Sequence, residues 1–367
     1  MTTLDKILDF TGRKKFYRFG NADGKYWIVP ALGMRTAMNL YQPSGIKGKM
    51  VKALLPWLHR FAHVRKAIKA EGVNCRLNSE LHSLLCRVFG VKEIEFAIFE
   101  GTPSASQKIT IQINTRDKIL GYCKVSGEKK IFELFEKEYN NLCWLSQRGV
   151  KGIPQPLYCG KFNSVFLFIQ STNKSKSSKI SHKLTKQHIE FVNEINKVTS
   201  TKIPLEKSDF YNDIIYLESI SDKIRKEEKP IFEQGIRHIK EHYKTNHGNN
   251  TFSFTHGDFT PWNMYLENGD LQVFDFEFAA RTFPPRMDLI HFTLQTWILK
   301  EKLRSNEIYT NLKTFKKEYG LSDTLTICYL IHILSFYFKL YNGKFDTKDN
   351  GYIIWCSLLK KQLDDII

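Results

Sequence analysis

The strongest indication of fold comes from residues 252–277, which read Phe252-Ser-Phe-Thr-His-Gly-Asp-Phe-Thr-Pro-Trp-Asn-Met-Tyr-Leu-Glu-Asn-Gly-Asp-Leu-Gln-Val-Phe-Asp-Phe-Glu277. Two strand-like segments flank the pair Asn268-Gly269, which is a strong turn signal for an antiparallel hairpin. Asp258 and Asn263 precede this hairpin and Asp275 follows it. Because a hairpin returns the chain to its origin, we expect the three side chains to lie together.

These three oxygen-bearing side chains match the requirements of phosphoryl transfer. Carboxylate and amide oxygens suit Mg²⁺, which binds few protein groups and keeps waters and substrate phosphates. A carboxylate that does not bind the metal can accept the proton of a hydroxyl nucleophile. One base, one metal-binding Asn and one metal-binding Asp therefore form a set that can transfer a phosphoryl group.

The motif His256-Gly-Asp-Phe-Thr-Pro-Trp-Asn263, followed by Val273-Phe-Asp-Phe-Glu277, resembles the aminoglycoside phosphotransferase and choline kinase family. The resemblance covers residues 91–367 and leaves residues 1–90 outside it. It implies an α+β, two-lobed protein-kinase-like fold, with a small antiparallel β lobe that carries one long helix and a larger, mainly helical lobe. It also implies ATP and Mg²⁺ as cofactors.

The resemblance assigns a role to each acidic or amide residue of the motif. It implies that Asp258 is the catalytic base and that Asn263 and Asp275 are the Mg²⁺ ligands. Glu277 stands where protein kinases have a glycine, and is expected to contact the metal site through water or to hold the loop. Asp288, further along the chain, resembles an acid that braces the catalytic loop.

A kinase-like site also needs a strand lysine that neutralises the phosphates and a helix glutamate that holds the lysine. Lys124 lies on the third strand predicted after residue 90, and Glu138 lies 14 positions later in the following helix. Glu133 and Glu136 are alternatives, but Glu138 best fits the spacing of the family.

The remaining nucleotide contacts are expected on two loops of the small lobe. The loop after the first strand has one glycine, Gly101, where protein kinases have three, but Ser104 and Ser106 are small enough for backbone N–H groups to approach phosphate oxygens. An ordinary hairpin loop is the alternative. The adenine is expected against the hinge, at Phe168 and Gln170.

The apolar periodicity divides the chain into three predicted regions. Residues 1–90 form a basic N-terminal accessory region with a helix over 49–70, whose Leu54, Leu58 and Phe61 face lies opposite the charges. Residues 91–170 form the ATP-binding lobe, with three strands, a helix over 126–148 and two more strands. Residues 171–367 form a catalytic and acceptor lobe, which opens with a Ser- and Lys-rich linker.

The net charge of +17 is concentrated in the N-terminal region, where residues 1–90 hold 16 basic and 5 acidic residues. A surplus of this kind predicts an anionic partner, either an acidic glycan or an anionic membrane surface, unless the basic residues only solvate a helical subdomain. Nucleic acid is not expected as a partner because no nucleic-acid-binding module is recognisable.

The overall composition indicates a cytoplasmic globular protein. Asp5, Lys6 and Asp9 interrupt any signal-peptide core, and no apolar run reaches the length of a membrane span. The seven cysteines are dispersed without a Cys-x-x-Cys pair, so they are expected as free thiols. Because of the basic region, the protein is also expected to associate peripherally with the inner face of the membrane.

The predicted function is a kinase that moves the γ-phosphoryl group of ATP to a hydroxyl of a small molecule or glycan, with a sugar or cell-envelope glycan precursor favoured. An aminoglycoside, or a choline- or ethanolamine-type amino alcohol, is the alternative acceptor. The acidic residues Asp209, Asp213 and Glu218 could bind a cationic acceptor, so this alternative is not excluded. A non-catalytic pseudokinase scaffold and a basic nucleic-acid-binding protein are the rival classes.

Overall fold

The computed structural model describes residues 2–43, 45–101, 108–245, 250–341 and 350–366. The chain forms two compact units. The first unit comprises residues 1–179 and 266–277, and the second comprises residues 180–265 and 278–367. The chain therefore passes from one unit to the other three times, twice within the stretch that holds the predicted catalytic motif.

In chain order the strands are β1 Leu8–Asp9, β2 Lys15–Gly20, β3 Tyr26–Pro30, β4 Glu71–Asn74, β5 Arg76–Leu77, β6 Glu95–Glu100, β7 Ile109–Asn114, β8 Ile119–Ser126, β9 Pro156–Phe162, β10 Val165–Ser171, β11 Thr201–Ile203, β12 Asn250–Thr255, β13 Met264–Glu267, β14 Asp270–Val273 and β15 Ala280–Phe283. The helices are α1 Thr3–Ile7, α2 Met34–Ala37, α3 Ile46–Leu58, α4 Ala62–Ala67, α5 Ser79–Phe89, α6 Lys129–Gln147, α7 Lys186–Thr199, α8 Tyr211–Ser219, α9 Lys229–Lys244, α10 Met287–Gln295, α11 Ser305–Tyr319, α12 Asp323–Leu340 and α13 Asn350–Asp364.

The first unit is built on an eight-stranded sheet with the order β4-β2-β3-β6-β7-β8-β10-β9, in which every neighbouring pair is antiparallel. The five strands predicted after residue 90 are all present, as is the long helix α6. Residues 1–90 supply three further strands, β2, β3 and β4, whereas the sequence predicts short strands only around residues 26–29, the position of β3. The basic N-terminal region thus continues the sheet of residues 91–171 through the pairing of β3 with β6.

Strand alternation gives the two faces of this sheet different coverings. Cys123 and Val125 of β8 face a buried cluster that includes Leu81 and Leu85 of α5. Lys124, between them, faces the opposite side, where Phe168 of the paired strand meets helix α6. The alternation of β8 therefore places a lysine beside the long helix.

The predicted helix over residues 49–70 is two helices, α3 and α4, separated at residues 59–61. The face of Leu54, Leu58 and Phe61 is not the side of α3 that packs in the core, because Leu54 and Phe61 are exposed and Leu55 is the residue of α3 that is buried. Val51 packs beside Leu55 against a core cluster that contains Trp27. The sequence carries apolar residues on two sides of α3, and periodicity does not show which side meets the core.

The second unit is mainly helical and contains a three-stranded sheet of order β11-β12-β15. Apolar periodicity predicts helices over residues 184–199, 228–244, 287–303, 308–319, 323–341 and 352–365, and helices α7 and α9 to α13 match them in order, whereas α8 is not predicted. Strands β13 and β14 pair as the predicted hairpin, and the turn residues Asn268 and Gly269 both have positive φ.

All seven cysteines are free thiols, and four of them are buried. Among the residues that the structure describes, no helix combines the length and the apolar character needed to cross a bilayer.

Candidate functional site

The first half of the candidate site is a buried ion pair between β8 and α6. The Nζ of Lys124 lies 2.6 Å from Oε2 of Glu138, which has no exposed surface. The rival acids Glu133 and Glu136 are on exposed positions of the same helix. The structure therefore joins Lys124 to the glutamate that the family spacing favoured.

Asp275 joins this pair from the end of β14. Its Oδ1 lies 2.5 Å from Nζ of Lys124, and the backbone N–H of Phe276 donates to Oε1 of Glu138 over 3.3 Å. Asp275 has a φ of 73°, a left-handed conformation that is uncommon outside glycine and is concentrated at functional sites. The residues after β14 are thus tied to the β8–α6 pair.

The electrostatics of this cluster favour a permanent positive charge on the lysine. Burial alone would lower the pKa of Lys124, but the carboxylates of Asp275 and Glu138 outweigh it and raise the pKa above its ordinary value. Burial raises the pKa of Glu138 to about 7, against the opposing effect of the Lys124 ammonium group. A cation held in this way is suited to neutralise phosphate oxygens.

Glu277 brings a third carboxylate to the same place, and Nζ of Lys108 contacts it. One carboxylate oxygen each from Glu138, Asp275 and Glu277 lie within 4.8 Å of one another. Carboxylate oxygens are the ligand type that Mg²⁺ prefers, but in this cluster the ammonium groups of Lys124 and Lys108 contact all three carboxylates. The pattern of residues did not predict Lys108 as a member of the site, because the two partners are 169 positions apart.

The other nucleotide-site predictions fall on less distinctive positions. Gly101 lies just after β6, and its N–H donates to the carbonyl of Lys108. Ser104 and Ser106 lie outside the described residues. Phe168 is fully buried with its ring near that of Phe135, and Gln170 is buried on the same strand, with an amide oxygen that has no hydrogen-bond partner among the described residues. Their contacts with a nucleotide remain predictions.

The second half of the candidate site is the loop after β12. Asp288, in the first turn of α10, accepts hydrogen bonds from the hydroxyl of Thr255 and from the backbone N–H groups of His256 and Gly257, at 2.8, 2.9 and 3.3 Å. His256 in turn accepts the N–H of Asp258 at Nδ1 over 3.2 Å. The loop is therefore braced as expected of Asp288.

Gly257 is the residue that makes this loop possible. Its φ is 79°, and a Cβ at this position would lie 2.5 Å from the carbonyl oxygen of Phe278. Both the backbone conformation and the close approach exclude a side chain. The His-Gly-Asp motif therefore has a steric reason for its central residue.

The carboxylate of Asp258 is held from two sides. Nδ2 of Asn263 donates to Oδ2 of Asp258 over 2.7 Å, and Nε2 of His291 lies 3.3 Å from Oδ1. The other ring nitrogen of His291 lies 3.3 Å from the hydroxyl of buried Tyr329. His291 and Tyr329 were not predicted, although His291 follows Asp288 by three positions on one helix and thus shares its face.

Asp275 belongs to the first unit, whereas Asp258 and Asn263 belong to the second. The structure thus shows two ordered half-sites, each with the residue types that the sequence indicated. The convergence of the three side chains on one metal remains a prediction.

The fold is the protein-kinase-like fold that the resemblance implied. The similarity to known proteins is found by comparing structures and not by comparing sequences. No protein-family model matches the sequence, and no curated protein matches it. Aminoglycoside phosphotransferase APH(4)-Ia superposes with a TM-score of 0.51 at 10% identity, over 78% of this chain and 98% of that chain. A thermostable mutant of that protein, in complex with AMP-PNP and hygromycin B, superposes with a TM-score of 0.53 at 11% identity over the same shares. The predicted fold class is therefore confirmed.

Proposed function

We propose that this protein is an ATP- and Mg²⁺-dependent phosphotransferase with a hydroxyl acceptor. The observation that carries the proposal is the buried Lys124–Glu138 pair, to which Asp275 is joined. Burying a lysine and two carboxylates carries a desolvation cost even when they are paired, which favours a functional reason for the cluster, and on this fold such a lysine holds the phosphates of a nucleotide. The braced loop of Asp258 supports the same function.

Five residues of the two half-sites have a part in the proposed reaction. The acceptor hydroxyl would give its proton to the carboxylate of Asp258, which Asn263 and His291 orient. Because the amide nitrogen of Asn263 is directed at Asp258, its amide oxygen points away and suits a metal. Asn263 and Asp275 would hold Mg²⁺, which supplies charge neutralisation to the phosphates when it is bound. Lys124 would hold the phosphates.

The acceptor is proposed to be a sugar hydroxyl, on a small molecule or on a glycan precursor, rather than a cationic aminoglycoside. A polycationic acceptor needs acidic side chains that are free to meet it. Asp213 is buried and paired with His332 and Lys339, and Glu218 is 2.6 Å from Nζ of Lys240. Asp209 accepts the backbone N–H groups of residues 281 and 282. Of the three acids that could bind a cationic acceptor, Asp213 is therefore withdrawn from solvent, whereas Asp209 and Glu218 have partners but stay exposed and leave that alternative to the experiment below.

An acceptor screen tests this proposal. Consumption of ATP would be measured over sugars, amino alcohols and aminoglycosides, with mass detection of the phosphorylated product. We expect a phosphorylated sugar and a requirement for Mg²⁺. Phosphorylation of an aminoglycoside or of choline alone would identify the alternative acceptor class. If the protein neither turned over ATP in the presence of Mg²⁺ nor bound ATP, a pseudokinase scaffold would be favoured.

We also propose that the basic surface of residues 1–90 binds an anionic partner, which would place the protein at the inner face of a membrane or on an acidic glycan. Support comes from Lys47, Lys49, Lys66 and Lys69, which are all exposed. Nucleic acid is the rival partner, and retention on it that is sensitive to salt would favour that class.

A further inference from the structure

Helix α3 exposes an apolar stripe to solvent while a different side of the helix packs in the core. The exposed fractions are 79% for Ile46, 56% for Met50, 46% for Leu54 and 63% for Trp57. At about 100° per residue these positions fall within roughly 80° of the helix circumference. Leu55, on the opposite side, is buried. The stripe is therefore a second apolar face that the core of the first unit does not use.

Basic residues surround this stripe, and acidic residues are absent from the surrounding sequence. Lys47 and Lys49 are exposed at its two margins, and the guanidinium of Arg35 lies 4.5 Å from the ring centroid of Trp57. Residues 24–70 contain nine Lys and Arg and no Asp or Glu. An apolar stripe with cationic margins complements a surface that is both apolar and anionic.

Lys52 belongs to the other side of α3. Its Nζ donates to Oε1 of Gln42 over 3.2 Å, and burial lowers its pKa to about 8. It is therefore not part of the charged margin, and a variant that tests the margin should leave it in place.

We propose that α3 lies on an anionic lipid bilayer, with Ile46, Met50, Leu54 and Trp57 inserted between the headgroups and Lys47 and Lys49 against the lipid phosphates. Interfacial helices have this arrangement, with aromatic and aliphatic residues on one face and lysines beside it. A tryptophan is well placed at such a boundary, because its ring is apolar and its N–H is polar.

Other occupants of the stripe fit the charges and the apolar residues less well. A soluble polyanion, such as an acidic glycan or a nucleic acid, would meet the lysines but would leave four large apolar side chains in water. A second copy of the chain would cover the apolar side chains but would bring two segments with nine positive charges each together. A bilayer satisfies both features.

Sedimentation of the full-length protein with vesicles tests this assignment. At low salt we expect binding to vesicles of phosphatidylglycerol and phosphatidylcholine, and much weaker binding to phosphatidylcholine alone. Trp57→Ser should lower the vesicle affinity about tenfold, because it removes one large inserted side chain. The double change Lys47→Glu and Lys49→Glu should lower it by at least about tenfold.

Matched variants separate these effects from general changes of charge or surface. Leu299→Ser removes another exposed apolar side chain, 54% exposed against 63% for Trp57, and Lys129→Glu with Lys130→Glu makes the same change of charge on α6. Both controls should retain vesicle binding. Brominated lipids should quench the fluorescence of the wild-type protein more than that of Trp57→Phe, because only an inserted ring approaches the bromine atoms.

Three results would overturn the proposal. Equal binding to neutral and anionic vesicles, or none to either, would exclude an anionic bilayer. Loss of binding in the lysine variant but not in Trp57→Ser, with no difference in quenching, would indicate a polyanion-binding surface without insertion. Self-association in solution that Trp57→Ser abolishes would identify a second copy as the occupant. Because vesicle binding is measured without ATP, its failure leaves the proposed activity untouched.

Discussion

The substitution Asp213→Asn should destabilise the second unit, because Asp213 is the centre of a buried polar cluster between α8 and α12. Its carboxylate lies 2.7 Å from Nδ1 of His332, 2.9 Å from Oγ of Ser335 and 2.7 Å from Nζ of Lys339. The three partners are spaced three and four residues apart and so lie on one face of α12. An amide at this position keeps the shape but removes the charge that faces the lysine.

The expected loss follows from the burial of the two charged groups. Removing one partner of a fully buried ion pair costs about 3–5 kcal/mol. The side chain of Lys339 is 41% exposed, so water screens part of the interaction and the loss should be about 2–3 kcal/mol. Urea unfolding followed by circular dichroism measures it.

The matched control is Glu218→Gln, which makes the same acid-to-amide change on the same helix. Glu218 pairs with Lys240, and both side chains are well exposed. Exposed pairs contribute about 0.2–1 kcal/mol, so this variant should unfold much closer to the wild type than Asp213→Asn does. Equal losses in the two variants, or none in Asp213→Asn, would refute the reasoning from burial.

The stability difference between wild type and Asp213→Asn should also depend on pH. Burial would raise the pKa of Asp213, but His332 and Lys339 outweigh burial and lower it. A carboxyl with a lowered pKa in the folded state stabilises the fold above its unfolded pKa of about 3.9, and this contribution is lost as the pH falls through the folded pKa. The difference in stability between wild type and Asp213→Asn should therefore shrink below about pH 4.

Three further substitutions test the half-sites. Gly257→Ala should lower the free energy of unfolding by about 2 kcal/mol or more and abolish activity, because the new Cβ would collide with the carbonyl of Phe278. Its control is Gly269→Ala, where φ is also positive but no atom lies within 4 Å of the new Cβ, so the loss should be smaller when the urea midpoints are compared. Lys124→Met should weaken ATP binding, measured by calorimetry, and lower stability by about 3 kcal/mol, because Glu138 would lose its buried partner. His291→Asn should lower kcat with little change in KM for ATP and alter the pH profile of kcat, since His291 positions the carboxylate of Asp258; an unchanged profile would leave it only a packing role.

The fold of residues 91–170 was predictable because its elements are local and strongly periodic. The sequences of β6, β7 and β8 carry apolar residues at a period of about two, and α6 follows them with a clear apolar stripe. Most residues of these strands are buried in the structure, because both faces of the sheet are covered. Residues 1–90 were not predictable in the same way. The pairing of β3 with β6 joins segments about 70 positions apart, and no turn signal links them. The two apolar faces of α3 likewise conceal which of them meets the core.

The site residues likewise differ in whether their contacts join neighbouring or distant segments of the chain. Lys124 and Glu138 could be paired in advance because they lie on consecutive elements, 14 positions apart. The contact of Lys108 with Glu277 depends on how distant parts of the first unit are folded, so spacing carries no information about it. His291 was within reach of sequence reasoning, because a residue three positions after the bracing Asp288 shares its helix face.

The central claim is that Asp258 is the base of a phosphoryl transfer, and Asp258→Ala tests it most directly. The rate of transfer from labelled ATP to the acceptor found in the screen would be measured beside the affinity for ATP. We predict a loss of at least about 100-fold in the transfer rate, with the affinity for ATP nearly unchanged, because the base acts only on the acceptor hydroxyl. A variant that retained the wild-type transfer rate would contradict the assignment of Asp258.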